Sequence, residues 1–159
     1  MFRVGFGQDS HRFSEDSERK LILGGIEVSK EKGLEGNSDA DVVIHSMCRA
    51  LEQAIGGESF SIYADKMHER GINDSRKYLE IAVAHVKEAG YAISNIGISL
   101  EGKTPRIIPI AKKMKEKLSE ILEINKSQIG INATSGEDLT AFGRGEGIQS
   151  FTIVSLIKK

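Results

Sequence analysis

The sequence predicts an α+β fold: a single two-layer domain, residues 1–159, in which helices cover a mixed β-sheet. Three observations predict it. Three segments carry apolar residues every third or fourth position, the period of a helix face. Short apolar runs bounded by Gly or polar clusters lie between them. The last two of these runs are joined by a Gly-rich stretch rather than by a helix. A chain of 159 residues with 39% apolar and 28% charged residues is long enough to bury a sizeable core.

In order, residues 1–8 (MFRVGFGQ) read as a strand, and KLILGG at Lys20–Gly25 as a second strand ending in a turn. Lys30–Asp39 is polar, contains Gly33 and Gly36, and reads as a loop. Val43, Met47, Leu51 and Ala54 then follow helix spacing, with Ser38 or Asp39 able to cap the first turn and Gly56-Gly57 as the stop. Glu58–Gly71 has no clear period and is expected to be a long loop. Tyr78, Ile81, Ala82 and Val86 mark a helix over Asp74–Gly90. Ile96, Ile98 and Leu100 alternate as in a strand. Pro109 suits the start of a helix that buries Ile110, Met114, Leu118, Ile121 and Leu122. Ile129–Ala133 is a short strand, Thr134–Gly147 a Gly-rich loop, and Phe151–Ile157 a closing strand.

The formal net charge of −1 provides no global basic field for nucleic acid. No apolar run approaches the ~20 residues of a membrane span. The N-terminus has no basic region followed by an apolar stretch, so a cytoplasmic protein is expected. The single cysteine, Cys48, excludes a disulfide within the chain and reads as a small buried apolar residue.

Chemistry-bearing residues gather in three segments. Asp9 and His11 are two apart, so a strand points both to one face. His45 lies near a polar helix start, on the same helix face as Asp41. Asp9, His11 and His45 make a carboxylate–imidazole–imidazole set that suits Zn²⁺ and leaves a coordination position open. A solvated pair at a strand end is the alternative for Asp9 and His11. His68, in a charged segment, and His85, on the second helix, read as non-ligands. In the third segment, ATSGEDLTAFGRGEG at Ala133–Gly147, Gly-rich backbone and the hydroxyls of Thr134 and Ser135 suit an anion. Glu137 could hold Mg²⁺ or Mn²⁺. A surface turn is the alternative. Arg144-Gly145-Glu146-Gly147 suits a tightly packed site such as a subunit interface.

Five stretches together resemble the 2-C-methyl-D-erythritol 2,4-cyclodiphosphate synthase family. They are G-x-D-x-H-R-F at Gly7–Phe13, L-x-L-G-G at Leu21–Gly25, S-D-A-D-V-x-x-H at Ser38–His45, P-R-I-I-P at Pro105–Pro109 and F-G-R-G-E-G-I at Phe142–Ile148. The resemblance implies a homotrimeric phosphorus–oxygen lyase of the non-mevalonate isoprenoid pathway, with sites between neighbouring subunits. Its expected reaction is cyclisation of 4-diphosphocytidyl-2-C-methyl-D-erythritol 2-phosphate to the 2,4-cyclodiphosphate, with release of CMP. Asp9, His11 and His45 match the zinc ligands, and Glu137 matches a position that helps hold a second ion, Mg²⁺ or Mn²⁺. Asn37 and Ser135 match positions that steady the transition state. Expected substrate contacts come from Asp9, Ser10, His11, Asn37 and Ser38, and from Glu58, Ser59, Phe60, Tyr63, Ala64, Asp65, Lys66 and Met67. Gly102, Lys103, Thr104, Pro105, Arg106, Ile107 and Ile108 match the cytosine-binding segment. Thr134, Ser135, Gly136, Glu137, Phe142 and Arg144 complete the set. Arg144 and Glu146 match residues near the trimer axis, where a central cavity can accept an isoprenoid diphosphate. No nucleic-acid or membrane partner is implied.

The chain departs from the family pattern at named places. Asn37 stands where His is common, Ser135 where Thr is, and Glu58-Ser59-Phe60 where Asp-x-Gly is. Tyr63-Ala64-Asp65 lacks a usual proline, and Gln8 replaces an aromatic. These departures support a second reading, a trimeric homologue that binds metal and an isoprenoid diphosphate but does not turn over. A metal-dependent phosphohydrolase, with water as the attacking group, is a third.

Overall fold

The computed structural model describes the backbone of residues 1–159 and the side chains of all but residues 29 and 30. Strand β1 spans Phe2–Arg12, and a hairpin of β2 (Lys20–Leu23) and β3 (Ile26–Lys32) follows. Then come helices α1 (Val42–Ile55), α2 (Ser61–Glu69) and α3 (Ser75–Glu88). Strand β4 (Tyr91–Glu101), helix α4 (Ile108–Leu122), and strands β5 (Ile129–Thr134) and β6 (Gly147–Lys158) complete the chain. The main sheet has the order β1-β6-β4-β5; β4 and β5 run parallel and the other pairs antiparallel. The mixed sheet and the α+β class are as the sequence predicts.

The helices pack on one face of this sheet, α1 on β1 and β6, α3 on β4, and α4 on β5. The strands carry the matching alternation. Ile148, Ser150, Thr152, Val154 and Leu156 of β6 are buried, as are Ile96, Ile98 and Leu100 of β4. On the other face Phe2, Val4, Phe6, Ile153 and Ile157 are each about half or more exposed, and Phe6 stacks on Phe151 with ring centroids 5.9 Å apart. One layer of helices on one sheet thus leaves an apolar face bare.

Helix α1 lies unusually close to β1. A Cβ built on Gly5 would sit 1.9 Å from the Ala50 carbonyl oxygen, and one on Gly7 would sit 2.0 Å from that of Ser46. Only glycine permits this approach. The expected faces of α1 and α4 hold: Val43, Met47, Leu51 and Ala54 are buried, and so are Met114, Leu118 and Leu122, with Ile110 and Ile121 packed at the edge of the core. Cys48 is fully buried, as expected.

Four expectations need correction. Residues 61–69 form helix α2, not loop; only Ala64 of this helix is fully buried, and with Phe60, Tyr63 and Met67 it makes one short stripe against the core, interrupted in sequence by polar residues and exposed Ile62. His68 is therefore on a helix and bonds Asn73. Strand β3 occupies residues 26–32, and the polar loop starts at Gly33; beyond Val28 that strand reads SKEK, which hides it. The cap of α1 is Asp41 rather than Ser38 or Asp39. Finally, β6 begins at Gly147, four residues before the expected start, and β1 runs on to Arg12.

Two outcomes follow from this packing. Gly7→Ala forces a methyl against the α1 backbone and is expected to cost about 3 kcal/mol in denaturant unfolding; an unchanged midpoint would disprove the close approach. Burial pushes the Cys48 thiol well above its ordinary value. Its alkylation in the native protein is therefore expected to stay flat from about pH 7 to about pH 9 and to appear only on unfolding, whereas a rate rising with pH would mean an accessible thiolate.

Candidate metal centre and ligand cavity

Asp9 and His11 project from the helix-covered face of β1, and His45 from the first turns of α1. The Asp9 Oδ2 atom lies 3.1 Å from His11 Nε2 and 3.1 Å from His45 Nδ1. One donor atom from each residue falls within 4.8 Å of the others, a spacing that a single ion can bridge. The imidazoles meet edge to face, with centroids 5.6 Å apart. Two nitrogens and one carboxylate oxygen form the donor set of a zinc site that keeps one position free. Glu137 does not belong to this cluster.

The outer nitrogens of both rings are engaged. His11 Nδ1 is 2.6 Å from the Glu35 carbonyl oxygen, which can only accept, so that nitrogen carries a proton. His45 Nε2 is 2.8 Å from Ser75 Oγ and 3.3 Å from Ser38 Oγ. The inner nitrogens therefore converge on Asp9, where protons or a cation must separate the three acceptors. Burial raises the Asp9 carboxyl, but hydrogen bonds from His11 and His45, with their charge, overcome it and hold the group well below the usual carboxylate range. Burial lowers His11, yet its bond to Asp9 and that carboxylate's charge raise it above its ordinary value. Arg49 adds a cation 3.5 Å from Asp9 Oδ1.

Several supports were not foreseen from the sequence. The Arg19 guanidinium donates to the carbonyls of Leu34, Gly36 and Ser38, fixing the loop that presents Glu35 to His11 and carries exposed Asn37. The fully buried Asp41 carboxylate accepts from the amides of Gly24, Gly25, Val43 and Ile44 at 2.7–3.1 Å. Asp39 and Asp41 stood in a quoted motif; Arg19 and Ser75 carried no sequence signal.

Phe60 is buried beside the centre, its centroid 5.3 Å from that of His45, with the Arg49 guanidinium 4.7 Å above its ring. Glu58, Ser59 and Phe60 line a cavity of about 390 Å³ together with Gln8 and Arg49. Along α2, Tyr63 packs edge-on to His85, Ala64 is buried, Met67 is half-buried, and Asp65 and Lys66 are exposed. His85 bonds buried Glu52 at 2.8 Å. Ser10 faces solvent on the opposite side of β1.

A second cavity, of about 450 Å³, brings the whole segment Gly102–Ile108 against Thr134 and Ser135. The Gly102 amide donates to the Thr134 carbonyl and the Lys103 amide to that of Phe142, each at 3.1 Å. Gly136 and Glu137 form the turn beyond, and Arg144 pairs with Glu146 at 3.0 Å on the surface. This cavity shares no residue with the Asp9–His11–His45 cluster. The expected site residues thus fall into two groups on one chain.

Fold and site define an α+β domain with an Asp-His-His centre fit for a divalent ion and a separate cavity lined by Gly102–Ile108, Thr134 and Ser135. The YgbB family model matches residues 2–157. The 2-C-methyl-D-erythritol 2,4-cyclodiphosphate synthase of Chlamydia muridarum is 41% identical over 160 residues, covering 99% of this chain and 89% of that protein. Among solved structures, the CDP complex of IspF from Plasmodium falciparum superposes with a TM-score of 0.87 at 28% identity, covering 99% of this chain and 97% of that one. The bifunctional IspDF of Campylobacter jejuni gives 0.91 at 29% identity, covering all of this chain and 43% of that one. The chain belongs to the YgbB family, that of the 2-C-methyl-D-erythritol 2,4-cyclodiphosphate synthases.

His45→Ala is expected to lose zinc, measured by metal analysis after dialysis, while keeping its far-ultraviolet circular dichroism. Full retention of zinc by that variant would rule out the centre.

Proposed function

We propose that this chain cyclises 4-diphosphocytidyl-2-C-methyl-D-erythritol 2-phosphate to the 2,4-cyclodiphosphate with release of CMP. It would act as a phosphorus–oxygen lyase in isoprenoid precursor synthesis, in the cytoplasm, as one domain over residues 1–159. The observation that carries this reading is the convergence of Asp9, His11 and His45, in a member of this family, on a point that one ion can fill.

An oxygen of the 2-phosphate attacks the β-phosphorus, and the bond from that phosphorus to the bridging oxygen breaks. CMP departs with the electron pair, so no protein nucleophile is needed. The protein's task is positioning and charge neutralisation, which is worth several kcal/mol for an intramolecular attack. Asp9, His11 and His45 would hold the zinc ion, which when bound would supply Lewis-acid polarisation of the diphosphate. Gly102–Ile108 hold the cytosine, and the CDP bound in the Plasmodium structure supports a cytidine ligand here. Thr134 and Ser135, on the same cavity wall, donate hydroxyls to the diphosphate. Asn37 donates an amide hydrogen at the reacting phosphate, and Glu137 helps hold Mg²⁺ or Mn²⁺. Glu58–Met67, with Ser10 and Ser38, wall the erythritol.

A homotrimer is part of this proposal. The bare apolar sheet face supports it, and so does the separation of the two site groups, which lets one subunit's cavity face its neighbour's metal centre. Arg144 and Glu146 then lie toward the axis, where an isoprenoid diphosphate can bind, and Phe142 remains among the substrate contacts. One observation favours a second reading, a binding homologue without turnover: the Phe60 ring closes on His45 where the family commonly has glycine.

Phosphorus NMR of purified protein with the cytidine substrate, Zn²⁺ and Mg²⁺ tests both. CMP together with a cyclic diphosphate is expected. CMP with a linear product would mean hydrolysis, and metal binding without turnover would mean the second reading.

A further inference from the structure

Resting on the metal-site reading above, we propose that Asp39 and Ser75 form a relay that fixes the tautomer of His45, making them positioning residues for the centre. Ser75 opens α3 and is fully buried. Its amide donates to Asp39 Oδ2 at 3.0 Å, and its hydroxyl donates to Asp39 Oδ1. A carboxylate can only accept, so the single hydroxyl proton of Ser75 is committed to Asp39. What Ser75 Oγ then offers His45, 2.8 Å away, is a lone pair. His45 therefore carries a proton on Nε2; the Nδ1 proton that meets Asp9, 3.1 Å away, is the one an incoming ion displaces, leaving Nδ1 free to hold it. Ser38 Oγ is a weaker partner, at 3.3 Å from Nε2, and already accepts the Ala40 amide. Neither Asp39 nor Ser75 belongs to the donor cluster itself.

The relay makes a signed prediction. In Asp39→Asn the amide oxygen keeps the Ser75 N–H at 3.0 Å and gives up the longer contact that Oδ1 makes with the Asp41 amide at 3.3 Å, so the amide nitrogen faces Ser75 Oγ. The hydroxyl proton is then turned toward His45 Nε2, which drives the ring's own proton onto Nδ1, the atom that must hold the ion. A carboxylate-to-amide change that imposes the wrong histidine tautomer with little change in geometry has this character. In Ser75→Ala, by contrast, His45 merely loses an acceptor.

Zinc affinity by chelator competition, on the full chain, tests this alongside the melting temperature of the metal-free protein. Ser75→Ala should weaken zinc binding about tenfold and Asp39→Asn closer to a hundredfold, the range for such outer partners. In the double variant no hydroxyl remains to turn, so affinity should return to the Ser75→Ala level. Wild-type affinity in Asp39→Asn, or losses that simply add in the double variant, would overturn the relay. Should Asp39→Asn strongly depress the metal-free melting temperature, Ser75→Ala decides alone. There the slowly exchanging His45 Nε2–H of the zinc-loaded protein should disappear from the proton NMR spectrum, and its persistence would overturn the relay. A wild-type chain that binds no zinc would remove the centre itself; normal wild-type binding with indifferent variants would remove the relay only.

Discussion

The contact on which the rest depends is backbone against backbone, α1 lying on β1. Along β1 the residues that face the helix are Gly5, Gly7, Asp9 and His11, one every second position. The first two have no side chain, and the helix carbonyls of Ala50 and Ser46 occupy the space a methyl would need. The next two begin where the helix ends. Ser46 also fixes the helix laterally, its hydroxyl meeting Ser150 at 2.9 Å and Thr152 at 2.7 Å on β6. His45 precedes Ser46, so the same register that seats the helix brings its imidazole to Asp9. The ligand set is thus a consequence of strand period and glycine placement.

A second constraint gathers the remaining supports around that contact. The Asp41 carboxylate binds amides from two places: the tip of the β2–β3 hairpin, where Gly24 and Gly25 both have positive φ, and the first turn of α1. A two-residue hairpin loop with that backbone favours glycine at both positions, and a helix start, with its unpaired amides, favours a carboxylate. One buried group serves both, so the L-x-L-G-G and S-D-A-D-V stretches are a single structural unit rather than two motifs. Ala40, with φ of 55°, turns the chain between Asp39, directed to Ser75, and Asp41, directed to the helix.

That division of labour explains what could be read in the sequence. The triad was legible because each of its parts is local: two residues on a strand face and one near a helix start. The faces of α1, α3 and α4 were legible because burial imposes a period on them. Helix α2 was not, because its apolar stripe of Phe60, Tyr63, Ala64 and Met67 is only two turns long and Phe60 lies before the helix proper. The cap of α1 was misplaced because Ser38 and Asp39 have the right chemistry but are spent on other partners, the Ala40 amide and Ser75. His11 meets Glu35 across 24 residues and Asp39 meets Ser75 across 36, separations that no spacing rule spans.

The strand that builds the metal face also builds the bare one. Between Gly5, Gly7 and Asp9 stand Phe6 and Gln8, and before them Val4, all directed to the side where no helix lies. An exposed apolar patch of this kind marks an interaction site, and the proposed homotrimer would use it. A chain that spent Phe6, Phe151 and Ile153 on its own core would need a second helical layer, and all four helices are already used on the metal side or at its margin. A like subunit is the simplest cover, because each copy would bring the same bare face to the others. Association through that face would also place β1, with Asp9 and His11 at its end, toward a neighbour. The proposed homotrimer therefore answers two features at once, an uncovered sheet and a site divided between separate parts of the chain.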